Sequence, residues 1–244
     1  MYVPGRPDIT TILFDVDDTL FDRRRSQEYI LDLIVEGYRE LFDPIDRAAV
    51  GDAFRRSDVI VSSRMDAGLT FPDGPRVERS RVFLEQLGLD QSRAGDVNAL
   101  YMDVYPRAVF AIEGAVEVVR GLSRTRKLGV VSNGFVDIQS EKIRALGIAD
   151  FFSCVVLSDA IGIRKPDSRI FLHAAHILGK EPAQCLYVGD SFLHDVVGAA
   201  GANMRTCWFN PDAKSPPQEE SRDLRPDVEI TGLRELPTWF DQSM

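Results

Sequence analysis

The densest chemistry in the chain is Asp15-Val16-Asp17-Asp18-Thr19, three carboxylates in four positions directly after the apolar run TTILF. Carboxylates this close repel one another. An isolated D-x-D is read equally well as a solvated acidic turn, but here an apolar strand delivers the charges to a sheet edge. Three further clusters sit in the same kind of place. Ser132-Asn133-Gly134 follows LGVV and offers a hydroxyl, an amide and turn backbone N–H groups, a cradle for an anion or simply a turn. Arg164-Lys165-Pro166-Asp167 precedes a helical pattern, with Pro166 expected in its first turn. Gly189-Asp190-Ser191-Phe192-Leu193-His194-Asp195 follows CLYV, and then come the small residues Gly198, Ala199, Ala200, Gly201 and Ala202, which let a helix lie close to a sheet.

The elements that must position these clusters follow from periodicity. Residues 10–17 read as a buried strand that turns acidic. Residues 24–105 show no convincing buried strand. Helical stripes at about 25–42, 46–63, 76–88 and 93–105 predict a small bundle, punctuated by Gly68, Pro72, Gly74 and Pro75. From 113 onward helices and strands alternate. Strands are expected at 128–132, 153–158, 185–189, 205–209 and 227–230, and helices at 114–124, 138–146, 167–179, 193–201 and 232–240. The polar, Pro-rich segment 211–226 reads as a loop. This alternation predicts an α/β fold, a Rossmann-like doubly wound parallel sheet. The core is expected at 1–20 and 110–244, with an inserted helical-bundle cap at 21–109 that enters and leaves at nearly one point.

Each chemical cluster falls at or beyond the carboxyl end of an expected strand, so all four converge on one sheet edge. Asp15, Asp17, Asp190 and Asp195 gathered there call for a cation. A hard divalent ion with oxygen ligands suits them, Mg²⁺ above all, because it binds through few carboxylates together with phosphate and water. Ser132, Asn133 and Lys165 supply the donors that a phosphoryl group needs.

The order DxDxT, SNG, KPD, GDxxxxD resembles the haloacid dehalogenase-like (HAD) superfamily over nearly the whole chain. The resemblance implies a Rossmann-like core with strand one central and a helical cap inserted after the first motif. It implies that Asp15 is a nucleophile forming an aspartyl-phosphate, and that Asp17 protonates the leaving oxygen and then deprotonates water. Ser132 and Lys165 would hold the transferring group. Asp190 would bind Mg²⁺ with the Asp15 carboxylate and the Asp17 backbone carbonyl, and Asp195 would support that shell directly or through water. Dehalogenase members lack a carboxylate two positions after the nucleophile, because halide leaves without a proton. Asp17 therefore favours a phosphatase. The stretches DVDDTLFD and GIRKPDSRIF most resemble the branch of pyrimidine 5′-nucleotidases and small-metabolite phosphatases, so a nucleoside 5′-monophosphate or a sugar or organic-acid phosphate is the expected substrate. Phosphosugar mutase-type transfer, 2-haloacid dehalogenation and a phospho-accepting module without turnover are the alternatives. Many phosphatase members carry Gly or Asn where Asp18 stands, and no catalytic role is attached to it.

Composition sets the outer limits. The chain has 244 residues, 29 Lys+Arg against 38 Asp+Glu, and a net charge of −9. An acidic balance argues against a nucleic-acid polymer or an anionic membrane as partner and leaves a small phosphate ester. A homodimer stays open beside a monomer. Cys154, Cys185 and Cys207 lie in apolar runs without zinc spacing, which suggests reduced thiols and a cytoplasmic setting. His173 and His176 read as an exposed helix face, while His194 sits in the fourth cluster. Arg23, Arg24 and Arg25 follow the first motif. Arg55, Arg56, Arg64, Phe71, Arg79 and Arg81 are the cap candidates for contact with the leaving group.

Overall fold

The computed structural model describes residues 9–217 and 224–241, leaving aside the side chains of Asp66 and Asp241. The chain divides into two compact units: one runs up to Arg23 and resumes at Val109, and the other is Arg24–Ala108. In chain order the elements are β1 (Thr11–Phe14), α1 (Arg23–Gly37), α2 (Arg39–Phe42), α3 (Arg47–Asp66), α4 (Gly74–Gln86), α5 (Ala94–Val104) and α6 (Ala115–Leu122). There follow β2 (Lys127–Ser132), α7 (Val136–Ala145), β3 (Phe152–Leu157), α8 (Ser158–Ile161), α9 (Ser168–Leu178) and β4 (Cys185–Gly189). A π-helical turn, Phe192–Val197, runs into α10 (Gly198–Gly201), and β5 (Arg205–Phe209), β6 (Val228–Ile230) and α11 (Glu235–Asp241) complete the set.

The six strands form one sheet in the order β3-β2-β1-β4-β5-β6, and every pairing is parallel. Strand β1 is central and fully buried, which is why it reads as an unbroken apolar run rather than an alternating one. The chain steps outward from β1 to β3, then returns to the other side of β1 as β4. The crevice between the ends of β1 and β4 is therefore the topological switch point, where open α/β sheets bind ligands. On one face Ile170, Phe171, Ala174, Ala175 and Leu178 of α9 pack with Leu13, Val131, Val156 and Tyr187 of the strands. Gly198 permits the close approach of α10: a Cβ there would lie 2.7 Å from the Phe171 ring and 3.0 Å from Pro166 Cα.

The structure differs from the sequence expectations at several boundaries. β1 stops at Phe14, because the next residues form a tight turn in which Leu20 and Phe21 N–H both donate to the Val16 carbonyl. Phe21 is bridged to Ala111 and Asp22 N–H donates to the Phe110 carbonyl, so residues 21–23 stay with the sheet-bearing unit. The expected 193–201 helix is a π turn followed by one α turn. Pro166 lies ahead of α9 rather than inside its first turn, since Asp167 is the N-cap and accepts from Arg169 N–H. Part of the expected 211–226 loop, residues 218–223, lies outside the described residues.

The Arg24–Ala108 unit contains no strand among its described residues. Its core is aromatic: Phe83 stacks on Phe42 with centroids 5.6 Å apart and meets Phe54 edge-on at 5.3 Å. The helix expected over 25–42 breaks after Gly37. Five of the arginines singled out in this unit are engaged within it. Arg55 pairs with Asp52, Arg56 with Gln86, Arg64 with Glu78, and Arg81 with Asp73 and Glu78. Arg79 pairs with Asp58 and lies 3.9 Å over the Tyr101 ring. No described helix is long and apolar enough to cross a membrane.

Candidate active site

Parallel register brings the clusters together. Asp15 leaves the end of β1 with its N–H bound to the Val188 carbonyl of β4. Asp190 leaves the end of β4, and Ser132 is the last residue of β2. One carboxylate oxygen from each of Asp15, Asp190 and Asp195 lies within 4.8 Å of the others. Asp15 is 7 % exposed and Asp195 1 %, so their charges are poorly solvated. Burial first, then the neighbouring carboxylates, pushes Asp190 up to about 8. Burial together with Asp195 and Asp17 pushes Asp15 up to about 6, against the pull of Lys165. Three carboxylate oxygens held this close together, two of them on buried side chains, fit a hard divalent cation such as Mg²⁺.

Lys165 is the charge that the fold itself supplies. Its ammonium lies 2.8 Å from Asp15 Oδ1, 2.6 Å from Asp195 Oδ1 and 2.9 Å from the Tyr187 hydroxyl. Burial works against its charge, yet the two carboxylates raise its pKa above the ordinary lysine value. Tyr187, read from sequence only as a strand residue, donates onward to the Val131 carbonyl at 2.7 Å. Asp195 also accepts from Ser191 N–H at 2.9 Å. A Cβ at Gly189 would collide with the Asp195 carboxylate, so the glycine of GD makes room for it.

The expected phosphate donors divide. Ser132 is 1 % exposed, at the end of β2 beside Gln139. Asn133 does not present its amide as a free donor. Its Oδ1 accepts from Lys165 N–H and its Nδ2 donates to the Lys165 carbonyl, so its side chain holds the Lys165 backbone.

Asp17 sits apart from the Asp15–Asp190–Asp195 group. Its carboxylate accepts from Gln139 Nε2 at 2.9 Å and pairs with Lys142. Although burial works against the charge, Lys142, Arg23 and Gln139 hold this carboxyl below the usual range. Gln139 and Lys142 escaped the sequence reading because they look like ordinary polar positions of α7. Asp18 takes a left-handed backbone, φ 56°, which Asp tolerates better than most residues. Thr19 Oγ1 reaches Asp190 at 3.4 Å. His194 lies in the π turn with its N–H on Ser191 Oγ, outside the carboxylate group. His173 and His176 are exposed on α9.

The chain is similar to known proteins in sequence and in fold. The chain is 24% identical to the pyrimidine 5′-nucleotidase YjjG of Escherichia coli, over 92% of this chain and 95% of that protein. It is 30% identical to the glyceraldehyde 3-phosphate phosphatase of Methanopyrus kandleri, over 93% and 95%. Among solved structures, the magnesium-bound HAD-hydrolase YfnB of Bacillus subtilis superposes with a TM-score of 0.80 at 25% identity, covering 96% of this chain and 99% of that one. A 2-haloacid dehalogenase from Pseudomonas syringae superposes at 0.64 with 27% identity, over 97% and 100%. The family model for haloacid dehalogenase-like hydrolases spans residues 9–203, from β1 to the end of the small-residue segment that follows Asp195. With its sheet order and its acidic switch point, the chain belongs to the haloacid dehalogenase-like hydrolase family.

Proposed function

We propose that this hydrolase is a Mg²⁺-dependent phosphatase of small phosphorylated metabolites that works through an aspartyl-phosphate on Asp15. The observation that carries the reading is Asp17. It stands two residues after Asp15, held by two donors and outside the Asp15–Asp190–Asp195 group. An alkoxide leaving group needs a proton and a halide does not, so this carboxyl has work in ester hydrolysis and none in dehalogenation. The phosphatases and the nucleotidase among the relatives point the same way.

In this reading Asp15, Asp190 and Asp195 hold Mg²⁺, together with the Asp17 backbone carbonyl. When bound, the ion offsets the repulsion between a carboxylate nucleophile and an anionic ester. Lys165 places a fixed ammonium beside the attacking Asp15 oxygen, and Asn133 fixes the Lys165 backbone. Ser132 faces the transferring group with its hydroxyl. Asp15 attacks phosphorus, the P–O bond to the leaving group breaks, and Asp17, ionised beside Lys142 and Gln139 in the free protein and protonated from solvent as the anionic ester binds, gives that oxygen its proton. Water then attacks phosphorus, Asp17 takes the water's proton, and phosphate leaves Asp15. Splitting the displacement in two keeps each barrier lower, and most of the catalysis is placement and fixed charge. A nucleoside 5′-monophosphate or a sugar or organic-acid phosphate is the substrate class we favour, in a cytoplasmic setting.

Inorganic phosphate release from a panel of metabolites and from 4-nitrophenyl phosphate tests the reading. Asp15→Asn should fall to background with its thermal transition kept. Wild-type turnover in that variant would overturn the covalent route. Chloride release from a 2-haloacid without phosphatase activity would favour dehalogenation.

A further inference from the structure

Two side chains of α7 do something that packing does not require. Gln139 is 1 % exposed and the Lys142 side chain 6 %. Both project from one helix at i and i+3 spacing, so they share a face. Gln139 Nε2 donates to Asp17 Oδ2, and the Lys142 ammonium meets Asp17 Oδ1. Each oxygen of that carboxylate thus has its own fixed partner. The ammonium is fixed in turn, 4.5 Å over the Phe21 ring on the turn that carries Asp17.

The arrangement is costly. Gln139 Oε1 is buried without a hydrogen-bond partner, and leaving such an atom unpaired is unfavourable. A buried ion pair is often no more stable than apolar residues of the same size. The backbone also accommodates Gln139: a Cβ at Gly134 would lie 2.5 Å from Gln139 Nε2. The glycine of Ser132-Asn133-Gly134 is thereby tied to the carboxylate clamp. Gln139 Nε2 also reaches Ser132 Oγ at 3.4 Å, which links the clamp to the phosphate side of the site.

We infer that Gln139 and Lys142 are positioning residues for the proton-transferring Asp17, fixing the direction of its carboxylate relative to the leaving oxygen. This rests on the reading of Asp17 as acid and base given above. Their polar contacts are to the Asp17 carboxylate and to Ser132 Oγ, which places their part with proton transfer rather than with holding the ion. A carboxyl released from both donors rotates freely, and most of its orientations miss the leaving oxygen.

The test compares native protein with Lys142→Met on 4-nitrophenyl, phenyl and simple alkyl phosphates. It reads kcat/KM for each and, separately, the rise in thermal transition on adding Mg²⁺. The expected result is a fall of roughly a hundredfold or more for alkyl phosphates, in the range that general acid catalysis supplies. The fall should stay under about tenfold for 4-nitrophenyl phosphate, whose leaving group needs little help. The response to Mg²⁺ should not change. An equal loss for every leaving group, or no loss, would overturn the positioning role while leaving the phosphatase reading intact. A native protein that releases phosphate from none of these esters would overturn both. If Lys142→Met lacks a cooperative transition, Gln139→Met carries the same comparison with the same outcomes.

Discussion

Asn133 grips Lys165 by the backbone rather than by its charge. Its amide oxygen accepts from Lys165 N–H at 2.9 Å and its amide nitrogen donates to the Lys165 carbonyl at 3.0 Å. The two contacts imitate a rung of a sheet between loops that follow different strands. They aim the Lys165 side chain at Asp15 and Asp195.

Asn133→Ala should therefore act on Lys165 without touching the ammonium. Two lost hydrogen bonds cost about 1–3 kcal/mol, and each kcal/mol lowers the thermal transition of a domain this size by roughly 2–4 °C. We expect kcat/KM for 4-nitrophenyl phosphate to fall about tenfold or more, since small misplacements are expensive in catalysis. Unaltered turnover alongside a lowered transition would separate stability from alignment.

The carboxylate group predicts coupled metal and proton effects. In metal-free protein Asp15 and Asp190 are pushed from their ordinary 3.8 up to about 6 and about 8. The folded state then binds protons more tightly than the unfolded chain. The stability this provides is full below pH 4 and is lost as pH rises through 6 to 8. Mg²⁺ competes with those protons, so its affinity should climb over the same range. Thermal melts from pH 5 to 9 with EDTA should show the decline, and saturating Mg²⁺ should flatten it. EDTA should also abolish turnover and Mg²⁺ restore it, with Ca²⁺ a poor substitute because of its looser coordination.

Glycine 198 offers a test of close packing near the site. A Cβ there would run into Phe171 and the Pro166 backbone, next to Lys165. Gly198→Ala should destabilise by about 1–3 kcal/mol through overpacking. At Gly201 the nearest atom to a Cβ is Ser168 Cβ at 3.8 Å, an ordinary contact. Gly201→Ala should then be neutral or stabilise by up to about 1 kcal/mol. Denaturant midpoints of the two variants give the comparison.

The thiols should be inert in the folded chain. Burial pushes Cys154 and Cys185 up to about 11 and raises Cys207 further. At pH 8 almost no thiolate is present, and the thiolate is the reacting form. An aromatic disulfide reagent should titrate none of the three quickly at pH 8, and all three once the chain is unfolded. Fast reaction in the native protein would contradict this burial.

Sequence legibility followed how directly a residue's type declares its task. The strands at 185–189 and 205–209 have the bounds that the sequence predicts. Asp15 and Asp190 stand out in the sequence because each follows directly on an apolar run, and Asp195 because it completes the GDxxxxD pattern. The turn after Phe14 was not, since Val16, Leu20 and Phe21 continue the apolar pattern while the backbone curls. Tyr187 was hidden for a similar reason: in CLYVG an aromatic side chain reads as core, and only the register of β4 beside β1 shows its hydroxyl under Lys165. Gln139 and Lys142 look like the wet face of α7. Their burial comes from tertiary packing against the Asp17 turn, which no local pattern records.

The central place of β1 has a consequence for how the chain is made. Thr11 pairs with Lys127 on one side and Cys185 on the other. When β1 leaves the ribosome, neither neighbour has been synthesised. The whole Arg24–Ala108 segment, a compact unit of its own, emerges first. That unit can collapse early, while Thr11–Phe14, the most deeply buried strand of the finished protein, waits as an apolar segment with no sheet to join. The nascent chain is thus most vulnerable to aggregation between completion of the helical unit and arrival of β2, and a chaperone that shields the first twenty or so residues would act in that interval.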